Sequence, residues 1–167
     1  MKLKSVIPLL LFGAILLNSS CSKYEIQVND NVVYSPTRLF RDYQFADAAL
    51  FDCVTQNIEE QSIHKAQQLQ KLFCPPGEIR DLSGLEIFPN LQQLGLADNR
   101  VTDLAPIEAL ANLEQIDLSN NSVVDASVLG SLKELKVLKL EGNKRLDCST
   151  LDSVKSVATL TSPEHCE

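Results

Sequence analysis

The residues best suited to chemistry in this chain are its 5 cysteines. Cys21 stands alone near the start, and four others are spread through the rest: Cys53, Cys74, Cys148 and Cys166. These four form no C-x-x-C pair, and with only His64 and His165 available to supplement them they lack the spacing of a zinc site. We therefore expect no metal site. In an exported chain the four cysteines should form two disulfides, for which three pairings exist.

The remaining residues indicate neither an enzyme nor a nucleic-acid-binding protein. The chain has 22 Asp and Glu against 15 Lys and Arg, a net charge of −7, and no segregated basic patch that would bind phosphates. Its 2 histidines take part in no Ser-His-Asp or Cys-His arrangement, and no paired carboxylates are evident. We therefore expect no enzymatic activity, no cofactor and no nucleic-acid partner.

The first 20 residues have the pattern of an export signal. Two lysines precede an apolar run over residues 6–17, which at ~1.5 Å per residue is too short for the ~30 Å core of a bilayer. The following Ser20 and Cys21 resemble the cleavage site of a bacterial lipoprotein, although Asn18 stands where that family usually has Leu. The resemblance implies acyl chains on Cys21, and Ser22 in place of Asp implies the outer membrane. The alternative is ordinary secretion, with Cys21 as a spare thiol.

The strongest pattern in the sequence is a repeat with a period of 22 residues. Three segments share the same spacing: Leu91-x-x-Leu94-x-Leu96-x-x-Asn99, Leu113-x-x-Ile116-x-Leu118-x-x-Asn121 and Leu135-x-x-Leu138-x-Leu140-x-x-Asn143. Each segment ends in alternating apolar and polar residues, which is typical of a short strand, and a chain that returns at a fixed interval stacks such strands in a parallel sheet. One coil cannot bury its own apolar side, so the coils share a core and need caps. Gly77 replaces the Asn in an earlier coil, and Arg145 interrupts an otherwise apolar column.

These segments resemble the leucine-rich repeats of bacterial internalins, in which I-x-D-L follows the Asn, as in residues 79–82 and 101–104. Residues 45–54 resemble the F-x-D-x-x-L-x-x-x-V helix that caps such domains. The resemblance implies an α/β solenoid with a short parallel β-sheet on the concave face, irregular or 3-10 turns on the convex face, and an N-terminal helical cap. Together with the export signal, this resemblance divides the chain into five parts. They are a lipoprotein signal peptide (residues 1–20), a leader (21–44), an N-terminal helical cap (45–68), the repeats (69–156) and a C-terminal cap (157–167).

This arrangement selects one pairing of the cysteines. Cys53 lies in the cap helix and Cys74 in the first coil, whereas Cys148 lies in the last full coil and Cys166 in the tail. A link between the two ends would bridge roughly three coil spacings, or ~14 Å, against a Cα–Cα limit of about 7 Å for a disulfide. We therefore predict Cys53–Cys74 and Cys148–Cys166.

Two polar columns follow each strand. The Asn column stands where the chain leaves the sheet, where an amide can both donate to and accept from backbone groups. Four carboxylates form the second column: Asp81, Asp103, Asp125 and Asp147. Because these carboxylates would be stacked, one interpretation is a calcium site. The other is that each carboxylate accepts N–H bonds from the next tight turn, since Ser or Ala follows two residues later.

The leader before the repeats is rich in aromatic residues. Ile26 and Val28 alternate with polar residues, and a turn at residues 29–30 predicts a return strand and a small hairpin. Six aromatic residues lie between positions 24 and 51. They either cover the open apolar end of the stack or form a docking surface of their own.

Side chains that point away from the core form the concave face, and the residues expected to bind a partner there are Lys71, Phe73, Gln93, Gln115, Asp117, Ser119, Lys139 and Glu141. A rigid parallel sheet suits recognition because little conformational entropy is lost on binding. The leading hypothesis is a protein-binding module of the bacterial cell envelope, attached to the membrane only through its lipid. The alternative is a structural or assembly subunit that docks through its leader. Which side of the membrane the protein faces stays open.

Overall fold

A computed structural model describes residues 26–28, 31–34 and 38–167. The predicted signal peptide and Cys21 lie outside these residues. The chain divides into two compact units between residues 37 and 38. Within the described residues, no helix combines the length and the apolar character needed to cross a bilayer.

The first unit contains a two-stranded antiparallel sheet. Strand β1 spans Ile26–Val28 and strand β2 spans Asn31–Tyr34. Gln27 is paired with Val32, and the register shifts next to Gln27. The two strands lie where the alternation of residue types predicts a hairpin.

The second unit begins with a cap built around helix α1, Ala48–Glu60. Asp47 precedes the helix and its carboxylate accepts an N–H bond of 3.0 Å from Leu50, which satisfies one of the free donors of the first turn. The buried apolar residues recur every four positions: Leu50, Val54 and Ile58. This spacing places them on one face of the helix, which packs against the core.

Five short parallel strands follow, and each pairs with the next in chain order. They are β3 (Lys71–Phe73), β4 (Gln93–Gly95), β5 (Gln115–Asp117), β6 (Val137–Lys139) and β7 (Thr159–Thr161). The register keeps the period of the sequence, so that Leu72 lies beside Leu94 and Leu94 beside Ile116. The middle residue of each strand points into the core, and the first and third point away from it.

Strand β7 differs from the expectation. The sequence pattern fades after residue 156 and places the repeats within residues 69–156, with only a cap beyond them. In the structure Val137 and Lys139 of β6 pair with Thr159 and Thr161 of β7, so the sheet has a fifth strand. Thr159 and Thr161 replace apolar or charged residues without disturbing the backbone pairing, because a parallel ladder depends on main-chain groups.

The convex side consists of 3-10 helices, as the resemblance implies. They span Leu85–Ile87, Ala105–Ile107, Ser127–Ser131 and Cys148–Val154. Before each of them an Asp carboxylate accepts an N–H bond from the residue two positions later, at 2.7 to 3.0 Å. The Asp side chains therefore cap these turns, and their carboxylate oxygens accept hydrogen bonds from the backbone N–H groups of the turns.

The Asn column joins neighbouring coils in the buried interior. Asn121 Nδ2 donates to the carbonyls of Leu96, Leu118 and Ser119 at 2.8, 3.1 and 3.1 Å, and its Oδ1 accepts from Val101 N at 2.9 Å. Asn99 and Asn143 repeat this arrangement one coil earlier and one coil later. One amide thus replaces the backbone partners that the chain loses where it turns away from the sheet.

The core runs continuously from α1 to the last coil, and one column shifts within it. Arg145 occupies an apolar column in the sequence, but the structure leaves Arg145 exposed and buries Leu146 instead, at 3% exposure. Lys144 N bonds to Gly142 O and Leu146 N to Asn143 O, so a tight turn moves the buried position by one residue. Arg145 therefore departs from the column, as the sequence indicates, and Leu146 supplies the buried apolar side chain of this coil.

Candidate functional site

The five strands present a concave face of two rows of side chains. The first row is Lys71, Gln93, Gln115, Val137 and Thr159, and the second is Phe73, Gly95, Asp117, Lys139 and Thr161. Glu141 lies just after β6 and accepts a hydrogen bond from the hydroxyl of Thr161. Seven of the eight predicted concave-face residues are accessible to solvent, and Ser119 is the exception.

Phe73 is the most exposed large apolar side chain in the part of the chain that the structure describes, with 55% of its surface accessible. Its ring lies across Gly95, because a Cβ added at that glycine would come within 2.5 Å of Phe73 Cδ1. Only glycine permits this close approach without displacing the ring. The face therefore carries one aromatic residue that is exposed and lies close against the sheet.

Two side chains, one in α1 and one just after it, hold the strand that carries Phe73. Asn57 Nδ2 donates to Phe73 O at 3.1 Å, and Phe73 N donates to Asn57 Oδ1 at 3.4 Å. Gln61 Nε2 donates to Lys71 O at 3.0 Å. These amides take the place of a further strand at the edge of the sheet. Asn57 and Gln61 are not among the predicted site residues, although Asn57 is a polar residue on the apolar face of the cap helix, which was the available signal.

The second half of the face is a hydrogen-bonded network around Asp117. Its carboxylate accepts from Lys139 Nζ at 3.1 Å and from the hydroxyl of Ser119 at 2.7 Å. Burial would raise the pKa of Asp117, but these bonds outweigh it and lower the pKa. The bond from Thr161 likewise lowers the pKa of Glu141. Ser119 is only 7% exposed, so its expected role in contacting a partner is corrected: it positions Asp117.

A shallow cleft of about 130 Å³ lies between the two rows. Its walls include Phe73, Gln93, Gln115, Asp117, Val137 and Lys139. Asp117 and Lys139 neutralise each other, so the walls carry no net charge. The cleft can therefore accept an uncharged group more readily than an ion.

The four cysteines form the pairs Cys53–Cys74 and Cys148–Cys166, with Cα–Cα distances of 5.4 and 5.3 Å. This is the pairing that the sequence predicts. Cys148, Cys166 and His165 have possible ligand atoms within 4.8 Å of one another, but both sulfurs are used in the disulfide. His165 Nε2 lies 3.0 Å from Leu146 O, a role related to that of the Asn column.

Aromatic residues of the leader cover the N-terminal end of the core. Tyr43 is 8% exposed, and its ring centroid lies 5.7 Å from that of Phe40, 5.8 Å from Phe45 and 5.7 Å from Phe51. Phe40 also meets Phe88 of the first coil edge to face, at 6.1 Å. Phe40, Tyr43 and Phe45 therefore form a plug over this end of the core, whereas Phe51 of α1 is 40% exposed. The side chains of the leader aromatics at positions 24 and 34 lie outside the described residues.

The 22-residue repeats match a known protein family. Residues 89–129 and residues 111–153 each match the protein family described as Leucine Rich repeats (2 copies). The chain folds as a leucine-rich repeat solenoid. The predicted fold, with its parallel sheet, its 3-10 turns and its helical cap, is confirmed.

This leucine-rich repeat solenoid is similar to two solved internalin structures from Listeria monocytogenes. An internalin (inlF) superposes with a TM-score of 0.63 and 24% sequence identity, over 72% of this chain and 37% of that one. Internalin C2 (inlC2) superposes with a TM-score of 0.53 and 31% identity, over 57% of this chain and 42% of that one. The chain therefore spans about two fifths of the length of either internalin. No curated protein matches the sequence significantly.

Proposed function

We propose that the chain is a non-enzymatic protein-binding module of the bacterial cell envelope that presents its concave face to a protein partner. The observation that carries the proposal is Phe73, an aromatic residue 55% exposed whose ring lies across Gly95. Aromatic residues make effective anchors, because they bury a large area and have few rotatable bonds to order on binding. The internalin-like repeats support a protein partner rather than a small substrate.

The proposed attachment to the envelope rests on the sequence of the first residues. Cleavage before Cys21 would leave residues 21–167 with 13 basic and 22 acidic side chains, a net charge of −9. Such a chain is repelled by anionic lipid, so attachment depends on acyl chains. In cells grown with labelled palmitate, the wild-type protein should become labelled and the Cys21→Ala variant should not. Equal labelling of both proteins would refute the lipid anchor and leave the binding function intact.

The binding function can be tested by site-specific photo-crosslinking in intact cells. A benzophenone amino acid at position 115 probes the concave face, and the same group at position 124 probes an exposed apolar position on another surface. We expect a discrete adduct from position 115 that disappears in the Phe73→Ala background. Adducts from position 124 alone, or adducts from position 115 that persist without Phe73, would contradict the proposal.

A second function is favoured by the hairpin of β1 and β2. A two-stranded hairpin is marginally stable by itself, and its outer edges gain stability by pairing with another chain. A structural subunit would therefore dock through residues 22–37. Deletion of these residues leaves the plug residues Phe40 and Tyr43 in place. If the deletion abolishes the position 115 adduct while Phe73→Ala preserves it, the leader is the docking element.

A further inference from the structure

The cleft on the concave face contains two amides that the fold does not use. Gln93 and Gln115 line it side by side in the first row of the face. Within the described residues their side chains have no hydrogen-bond partner, whereas the other long side chains of the cleft wall, Asp117 and Lys139, bind each other. A side-chain amide offers both donors and an acceptor, which is the complement of a peptide group in extended conformation.

Apart from the paired Asp117 and Lys139, the rest of the cleft is apolar, and its volume is that of one side chain. Phe73 stands on the β3 side and Val137 on the β6 side, and the cleft between the rows measures about 130 Å³. A cavity of about 150 Å³ holds one benzene molecule, so this cleft accepts a single aliphatic or aromatic group. A charged group is disfavoured because no unpaired opposite charge lines the cleft.

We propose that the cleft binds an extended segment of the partner protein. The segment crosses β4, β5 and β6, places one uncharged apolar side chain between Phe73 and Val137, and bonds through its main chain to Gln93 and Gln115. This inference rests on the proposed function and specifies it, because a folded domain could also cover the concave face without inserting a single residue.

Selection from a phage-displayed random dodecapeptide library tests the proposal. The full chain, purified with both disulfides formed, serves as the target, and the affinities of the selected peptides are then measured by fluorescence polarisation. We expect the selected peptides to share one apolar residue flanked by uncharged residues. Phe73→Ala should weaken them about tenfold or more, and Gln115→Ala about threefold, because the anchor outweighs a single amide contact.

Two further variants control the measurement. Val137→Lys should abolish binding by filling the cleft with a charged side chain, whereas Val124→Ala shortens an exposed apolar residue elsewhere and should leave the affinities unchanged. Thermal unfolding of each variant verifies that it folds. The proposal is overturned if no peptide is enriched, if the enriched peptides carry a charged anchor, or if they bind Phe73→Ala as well as the wild type.

The two proposals fail in different ways. If photo-crosslinking at position 115 captures a partner while the peptide library yields nothing, the concave face binds a folded surface and only the cleft inference is wrong. If both experiments are negative, the concave face has no binding role and both proposals are wrong.

Discussion

At the scale of single residues, buried amides join neighbouring coils through hydrogen bonds to the backbone. Asn121 makes four hydrogen bonds to backbone groups, whereas the more exposed Asn112 makes one, from Nδ2 to Pro89 O at 2.8 Å. We expect Asn121→Ala to lower the free energy of unfolding by about 2–4 kcal/mol, because it leaves buried backbone groups without partners. Asn112→Ala should cost less than about 1 kcal/mol. Urea denaturation measures both, and equal losses would show that the buried amides have no special role.

Substitution of Gly95 tests the contribution of the Phe73 ring to binding separately from its contribution to stability. An added methyl group at this position meets only the ring of Phe73 closely, and that ring is exposed and able to turn aside. We expect Gly95→Ala to change stability by less than about 1 kcal/mol while displacing Phe73 and weakening partner capture. Gly77→Ala is the matched control, since its added Cβ meets nothing closer than 3.6 Å. If capture by Gly95→Ala equals that of the wild type, the position of the Phe73 ring does not matter for binding.

At the scale of elements, one carboxylate joins the cap helix to the first coil. Asp47 Oδ1 accepts from Leu50 N in α1, and its Oδ2 accepts from Arg80 N at 2.8 Å and from Asp81 N at 3.2 Å. Burial would raise the pKa of Asp47, but the backbone donors outweigh it and lower the pKa below its ordinary value of 3.8. The ionised carboxylate is therefore the form that the folded state prefers.

The sign of the resulting pH dependence follows from the lowered pKa. A carboxylate whose pKa is lower in the folded state stabilises the fold above its unfolded pKa, near 4, and this contribution is lost as the pH falls through the folded pKa. Asp47→Asn should therefore be less stable than the wild type at neutral pH, and the difference should narrow below about pH 4. Thermal unfolding of both proteins from neutral to acidic pH measures this, and a constant difference would exclude the charge as the cause.

The elements also show how far the sequence predicts this molecule. Strand register, the cap helix and the cysteine pairing follow from columns of residue types at a fixed interval, so they were predictable. Strand β7 was not, because Ser162 and His165 stand where the earlier segments have Leu and Asn, so the sequence pattern fades at this strand. The burial of Ser119, and of Leu146 where the repeat pattern places Arg145, depends on local turns. The contacts of Asn57 with Phe73 depend on how α1 packs against the sheet. Residue types at a fixed interval predict neither.

At the scale of the whole molecule, charge is unevenly distributed. Residues 21–167 carry a net charge of −9, yet the concave face has two lysines, Lys71 and Lys139, against Asp117 and Glu141. The concave face is thus neutral in an acidic protein. Charges farther from a bound partner than the Debye length, about 10 Å at 0.1 M salt, contribute little to its binding.

We therefore expect the affinity for the partner to depend weakly on salt, changing less than about threefold between roughly 50 and 500 mM NaCl in a fluorescence-based titration. Lys139→Glu gives the face a net charge of −2 and should introduce a clear salt dependence, because a charged surface now meets the partner. Lys155→Glu makes the same change on the convex side, where Lys155 is bonded to Asp152, and should leave the weak dependence unaltered. A steep dependence in the wild type would mean that the partner contacts the acidic remainder of the chain, and the concave face would then no longer account for recognition.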